Sequence, residues 1–205
     1  MITIINYGMG NLGSIANMLK RIGHDSLITS KPEDIEKATK LILPGVGAFD
    51  NGMQSFNNLG FSSILNKKVL EEKVPILGIC LGMQLMTEGS DEGKEAGLGW
   101  IKGRFEKFAF GEDMKMHKVP HMGWNKLKQV KQSKLLEGYE ETPRFYFVHS
   151  YYFKPSNQAD VLGTTSYGIE YASAFEHENI LGVQFHPEKS HKFGMNLLKN
   201  FAEKY

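Results

Sequence analysis

Pro75-Ile76-Leu77-Gly78-Ile79-Cys80-Leu81-Gly82-Met83-Gln84 reads as a buried strand that turns sharply into a helix. The stretch holds the only cysteine of the chain. A lone cysteine is by default a small buried hydrophobe. A thiol at such a turn, however, points out of the sheet, and the first helical turn aims unpaired backbone N–H groups at it. Those partial charges favour the thiolate, which is the nucleophilic form. Gly78 and Gly82 flank the sulfur at two residues on either side, as a strained elbow needs where strand and helix pack too closely for a Cβ.

A cysteine nucleophile needs a base and a group to orient that base. Near the other end runs Gly182-Val183-Gln184-Phe185-His186-Pro187-Glu188-Lys189-Ser190. Ile180 to Phe185 is a short apolar run bounded by Asn179 and Pro187, so it reads as a strand. Pro187 biases His186 to an extended backbone, where residues two apart project to the same side. Glu188 then accepts from one ring nitrogen of His186, leaving the other to take the Cys80 proton. Alone, His-Pro-Glu after a strand reads as surface. Only its conjunction with the cysteine elbow is specific.

The third piece is Leu41-Ile42-Leu43-Pro44-Gly45-Val46-Gly47-Ala48-Phe49, an apolar strand entering a loop with two glycines around one residue. Acyl transfer generates an oxyanion, and the N–H of Leu81 supplies one donor. Gly45 and Gly47 let the Val46 peptide offer the second at little steric cost. By itself Pro-Gly-Val-Gly is only a turn signal.

Strands alternate with helical patterns through the first half. Met1–Asn6 is strand-like, Asn11–Ile22 helical and Ser26–Thr29 a short strand. Pro32 then opens a helix with Glu33 and Asp34 in its first turn. Strand Leu41–Leu43, helical segments between Phe49 and Glu72, strand Ile76–Ile79 and the helix after Cys80 follow. This order implies an α/β fold, a doubly wound and mostly parallel sheet with helices on both faces. Ligands in such sheets bind beyond the carboxyl ends of the strands, where Val46 and Cys80 fall. From Trp100 the texture changes to Trp100–Lys102, Trp124–Val130, Phe145–Phe153, Val161–Ser166 and Tyr171–Phe175, read as antiparallel strands added to the core. Phe193, Leu197, Leu198 and Phe201 recur at helical spacing in a final helix. No linker or repeat interrupts residues 1–205, which read as one domain, enough to bury roughly 70% of the unfolded surface.

With 24 basic and 23 acidic side chains the net charge is +1, so no electrostatic footprint for nucleic acid or anionic membrane exists. The pair Lys67-Lys68 reads as a solvated helix face. One cysteine excludes an internal disulfide and suits a reducing compartment. No basic n-region with an apolar core and no run of membrane length occurs, so a soluble cytoplasmic chain is expected.

Gly8-Met9-Gly10-Asn11-Leu12-Gly13 matches a dinucleotide fingerprint between strand and helix. That motif also demands an acidic residue at the end of the second strand, where Ile28-Thr29-Ser30-Lys31 stands instead. The seven histidines lack metal-site spacing: His177-Glu178 has no second histidine of H-E-x-x-H. His24, His117, His121, His177 and His191 read as structural or surface residues, and the role of His149 stays open.

Pro-Gly-Val-Gly, Gly-Ile-Cys-Leu-Gly-Met-Gln and Gln-Phe-His-Pro-Glu, in this order, resemble the triad-type (class I) glutamine amidotransferases. Within that group the chain most resembles the glutaminase subunits of imidazole glycerol phosphate synthase. The finer likeness rests on Ile4 to Leu12, on Val119-Pro120-His121-Met122-Gly123-Trp124-Asn125 and on Tyr146-Phe147-Val148-His149-Ser150-Tyr151. It spans essentially the whole chain. The resemblance implies Cys80, His186 and Glu188 as a catalytic triad, and Val46 and Leu81 as oxyanion donors. It places Gly45, Gly47, Gln84, Ser150 and Tyr151 at the amino-acid end of glutamine. It calls for no cofactor and no metal. It also implies a (β/α)₈ synthase partner that takes up ammonia to make imidazole glycerol phosphate and an aminoimidazole carboxamide ribotide. Asn11, Met122 and Trp124 look like surface facing that partner; for Met122 and Trp124 a plain turn with a half-buried aromatic stands equally open.

Losing one oxyanion donor costs about 10²–10³ in rate, so a misformed Val46 peptide would hold the glutaminase nearly silent until a partner corrects it. Two rival readings accompany this one. A paralogous pair would keep the chemistry and feed ammonia to a sugar-amidating synthase of surface polysaccharides. A non-catalytic module, or a nucleotide-dependent oxidoreductase using the glycine-rich turn, would discard it.

Overall fold

The computed structural model describes residues 1–111 and 117–205. The first half alternates as expected: β1 (Ile2–Ile5), α1 (Leu12–Arg21), β2 (Ser26–Thr29), α2 (Pro32–Glu36), β3 (Leu41–Gly45), α3 (Phe49–Asn58), α4 (Phe61–Asn66), β4 (Ile76–Cys80) and α5 (Leu81–Leu85). Every residue of β1, β3 and β4 is buried. Strands covered on both faces need apolar side chains in both directions, which is why their sequences run apolar without alternation. Ile4, Ile42, Leu77 and Ile79 face one apolar cluster with Ile15 and Leu19 of α1. Ile5, Leu41, Leu43 and Ile76 face the other, with Phe49, Met53 and Phe56 of α3 and Phe61 of α4. Helices therefore cover both faces.

The second half contributes β5 (Thr87–Ser90), β6 (Ile101–Lys107), β7 (His121–Lys126), β8 (Lys128–Gln129), β9 (Arg144–His149), β10 (Tyr151–Pro155), β11 (Val161–Tyr167), β12 (Ile169–His177), β13 (Ile180–Val183) and α6 (His191–Lys204). Among the described residues the main sheet runs β2-β1-β3-β4-β13-β12-β10-β6-β5, with β11 and β8 branching from β12. β2, β1, β3, β4 and β13 are mutually parallel. β12, β10 and β6 follow antiparallel, and β5 closes the edge parallel to β6. The last parallel strand, β13, lies beside β4, so the chain's final segment meets the Cys80 elbow. α6 packs Phe193, Leu197, Leu198 and Phe201 into the same cluster as α1.

Three expectations change. Phe145–Phe153 is two strands broken at Ser150: β9 pairs with β7 in a separate two-stranded ribbon, while β10 joins the main sheet. Trp124–Val130 likewise splits, β7 going to the ribbon and β8 pairing with β11. Only long-range pairing decides which ladder such a run joins. Lys68 is not a solvated face. It is buried, with Nζ donating to Glu36 O at 2.9 Å and Glu72 Oε2 at 2.6 Å. Its aliphatic stem lies inside while its ammonium reaches two acceptors.

Candidate active site

Cys80 ends β4 with φ 54° and ψ −112°, a left-handed backbone that side chains other than glycine rarely adopt. The neighbouring glycines make this turn possible. A Cβ on Gly82 would stand 1.8 Å from Leu43 O, and one on Gly78 would stand 2.8 Å from Met83 N. The sheet and α5 thus approach closer than any other residue allows. α5 is only five residues long, so the local N–H groups of its first turn, not a long helix dipole, face the elbow.

Cys80 opens on a cavity of about 310 Å³ at the carboxyl ends of β3 and β4. Val46, Gly47, Leu81, Gln84, Ser150, Tyr151 and His186 share its wall. Gly45 does not. It lies one residue behind, where a Cβ would meet Tyr7 Oη at 2.3 Å and Gly82 N at 2.9 Å. Its role is close packing beneath the loop. Gly10, the second glycine of the fingerprint-like turn, packs against Pro44 and Gly45. That turn therefore buttresses the Pro44–Gly47 loop. Val46 itself is half-exposed.

His186 Nδ1 lies 2.9 Å from Glu188 Oε1, and both side chains are only 1% exposed. The route differs from the extended spacing expected. His186 is extended (φ −104°, ψ 95°), but Pro187–Lys189 forms a tight helical turn that brings Glu188 back under the ring. β9 holds the segment: His186 N donates to Tyr146 O at 2.9 Å, and Ser190 Oγ donates to His186 O at 2.6 Å. Nε2 is buried without a well-formed hydrogen bond among the described residues, and its neighbour is the Cys80 sulfur. Burial opposes charge on this ring. The Cys80 sulfur and then the Glu188 carboxylate outweigh it, and His186 is held well above the usual imidazole value.

Two functional candidates escaped the sequence reading and a third was named without a role. Gln184, fully buried, donates from Nε2 to Cys80 Sγ at 3.6 Å and accepts from Gln84 Nε2 at 3.3 Å. Its position two residues before His186 was the available signal, since strand residues two apart share a side. Glu92 borders the cavity while its Oε2 accepts from Phe49 N at 3.0 Å; nothing local in Ser90-Asp91-Glu92 marks it. His149, left open above, lines the cavity and is almost fully buried.

Away from the cavity, Asn11 is exposed, as are Met122 (61%) and Trp124 (45%). The Trp124 ring stacks on His191 at 5.6 Å with planes 4° apart. His24 pairs with Glu203 and His177 with Asp160, in line with structural roles. No group of metal-ligating side chains gathers among the described residues. No described helix is long and apolar enough to cross a membrane.

The solved structures with this architecture include a glutamine amidotransferase, at TM-score 0.75 and 20% identity over 99% of this chain and 98% of that one. PurLQS from Thermotoga maritima superposes at TM-score 0.72 and 17% identity, covering 98% and 96%. These likenesses concern the fold. In sequence, the imidazole glycerol phosphate synthase subunit HisH 2 of Methanococcus maripaludis is 55% identical over 203 residues, covering 99% of both chains. The subunit HisH 2 of Pseudomonas aeruginosa is 48% identical over 203 residues, again 99% of both. The profile of the family Glutamine amidotransferase class-I matches residues 3–205. An elbow cysteine, a carboxylate-backed histidine and this full-length match agree: the chain belongs to the class-I glutamine amidotransferases.

Proposed function

We infer that the chain is the glutaminase subunit of imidazole glycerol phosphate synthase, acting in histidine biosynthesis. What supports this most directly is one cavity that presents the Cys80 sulfur and a His186 ring clamped from behind by Glu188. Residues 1–205 act as one glutamine amidotransferase domain. Glutamine enters with its amide carbon beside Cys80 and its amino-acid end toward Gly47, Gln84, Ser150 and Tyr151. The sulfur attacks the amide carbon, and the N–H groups of Val46 and Leu81 receive the oxyanion. His186 passes its proton to the departing nitrogen, the C–N bond breaks, and ammonia leaves a glutamyl thioester on Cys80. A water that gives its proton to His186 then cleaves the thioester to glutamate. Glu188 keeps the ring in one tautomer throughout.

Ammonium is no nucleophile, so neutral ammonia must reach its acceptor without equilibrating with solvent. The partner is a (β/α)₈ cyclase that contacts the face bearing Asn11, Met122 and Trp124. The test mixes the chain with a cyclase subunit, glutamine and the phosphoribulosyl formimino precursor. Glutamate and imidazole glycerol phosphate should appear together, and both should vanish in Cys80→Ser while the complex still assembles. Glutamate without imidazole glycerol phosphate, alongside a competent cyclase, would instead indicate a sugar-amidating acceptor.

A further inference from the structure

Behind the cavity wall, five polar groups form a line of hydrogen bonds whose direction is set at both ends. Asn125 Oδ1 accepts from Lys126 N at 2.8 Å, so its Nδ2 is the donor that reaches Ser166 O at 2.9 Å and His121 Nε2 at 3.3 Å. His121 Nε2 is thereby an acceptor, and its proton sits on Nδ1. At the far end His149 Nδ1 lies 2.7 Å from Tyr151 O, and a carbonyl only accepts. His149 therefore carries its proton on Nδ1 and presents Nε2 as an acceptor. Tyr171 Oη stands 3.0 Å from both His121 Nδ1 and His149 Nε2. The proton positions set one direction: Asn125 donates to His121, His121 Nδ1–H faces both Tyr171 Oη and, at 3.2 Å, His149 Nε2 itself, Tyr171 donates to His149, and His149 donates to the Tyr151 carbonyl.

The line ends on the glutamine side of the protein. Ser150 and Tyr151 border the cavity, and Ser150 O is already held by Phe108 N at 3.1 Å. The Tyr151 carbonyl is the next backbone group along. Tying both fixes the peptide planes on either side of Tyr151, and with them the backbone torsions of that residue. This is the point where the chain leaves the β7–β9 ribbon for the main sheet, Tyr151 being the first residue of β10 to register with β6.

We propose that His149 is a positioning residue for the glutamine site: its Nδ1–H clamps the Tyr151 carbonyl, and the Asn125–His121–Tyr171 line behind it holds the one tautomer able to do so. The proposal rests on the glutaminase reading above. Burial keeps both rings neutral, lowering His149 to about 3 and His121 to about 4, as a line needing one acceptor nitrogen on each ring requires. The stacking of His121 between Phe147 (4.8 Å) and Tyr167 (4.0 Å) fixes its plane.

The experiment measures glutamate release against glutamine concentration in the complex with the cyclase subunit. His149→Leu removes the clamp and should raise KM for glutamine about tenfold, with kcat changed far less. His149→Asn restores a side-chain N–H where Nδ1 stood and should return KM to within about threefold of the parent. Tyr171→Phe leaves His121 Nδ1–H as the one remaining donor to His149 Nε2, which loosens the tautomer without releasing it, and should fall between them. Should His149→Leu fail to fold, the Asn and Phe variants still order the outcome. Equal KM in the parent and all folded variants, or a loss of kcat alone, overturns the proposal. A parent complex that releases no glutamate overturns the glutaminase reading beneath it. Glutamine binding to Cys80→Ala, with and without His149→Asn or Tyr171→Phe, then still reads the clamp: unchanged affinity sinks it.

Discussion

Gln184 donates its amide N–H to the Cys80 sulfur at 3.6 Å, and its own carbonyl is occupied by Gln84, so the amide cannot turn its oxygen to the sulfur without losing that bond. A donor aimed at a nucleophile stabilises the anionic form more than the neutral one. Replacing Gln184 by Met keeps volume and removes the donor. Alkylation of Cys80 by iodoacetamide at pH 7 should slow about fivefold, the size of one hydrogen bond, and kcat/KM should fall in step. Unchanged alkylation would make Gln184 a packing residue only.

The Cys80 backbone stores strain at φ 54°, and such residues cost about 1–3 kcal/mol. Glycine adopts this region freely. Elsewhere Gly is less stabilising than Ala. At this position the order should invert: Cys80→Gly should unfold in urea about 1 kcal/mol later than Cys80→Ala. The usual order would mean that the elbow carries no strain.

Glu188 meets His186 Nδ1 at 2.9 Å and does not line the cavity, so on the proposed mechanism it acts through the ring. Glu188→Gln keeps an acceptor near Nδ1 but removes the charge that holds the imidazolium. Glutaminase kcat should fall less in Glu188→Gln than in His186→Ala, which removes the base itself. Equal losses would make the Glu188 carboxylate a direct participant in proton transfer.

The buried histidines also predict a pH dependence. His149 is lowered to about 3 and His121 to about 4, mainly by burial, against about 6.5 unfolded. Below pH 6.5 the unfolded chain binds protons that the folded chain refuses, so stability falls as the pH drops toward 4. Carboxylates held low by lysines, such as Glu72 and Glu106, lose their contribution in the same direction, but only below about pH 4.5. His186 is raised and has the opposite sign: its contribution is complete below pH 6.5 and fades as the pH rises through its folded value. The urea midpoint should therefore decline between pH 6.5 and 5, and less steeply in His149→Asn. A flat midpoint over that interval would show that these two rings stay protonatable in the fold.

Motif residues declared themselves because each carries a local backbone demand. Gly78 and Gly82 around Cys80 leave no room for a Cβ, and Pro187 fixes the approach to Glu188, so the strand, the elbow and the His186–Glu188 pair could be read from short stretches. The His186–Glu188 contact was foreseen for a partly mistaken reason: a helical turn, not extended chain, closes it. The break at Ser150 was not legible, since Phe145–Phe153 is equally apolar and aromatic on either side of it. Burial of Lys68 escaped because its acceptor Glu36 O lies on another element.

Sequence alone determined the layered α/β order and singled out Cys80, His186 and Glu188, because hydrophobic runs and glycine positions act over a few residues. Tertiary structure alone decided that Gly45 packs behind the cavity, that Gln184 meets Cys80 across 104 positions, and that His121, Tyr171 and His149 are hydrogen-bonded to one another. Those contacts join strands distant in the chain. A hydrogen bond between them depends on register and on which face each strand presents, and neither is written in the local pattern.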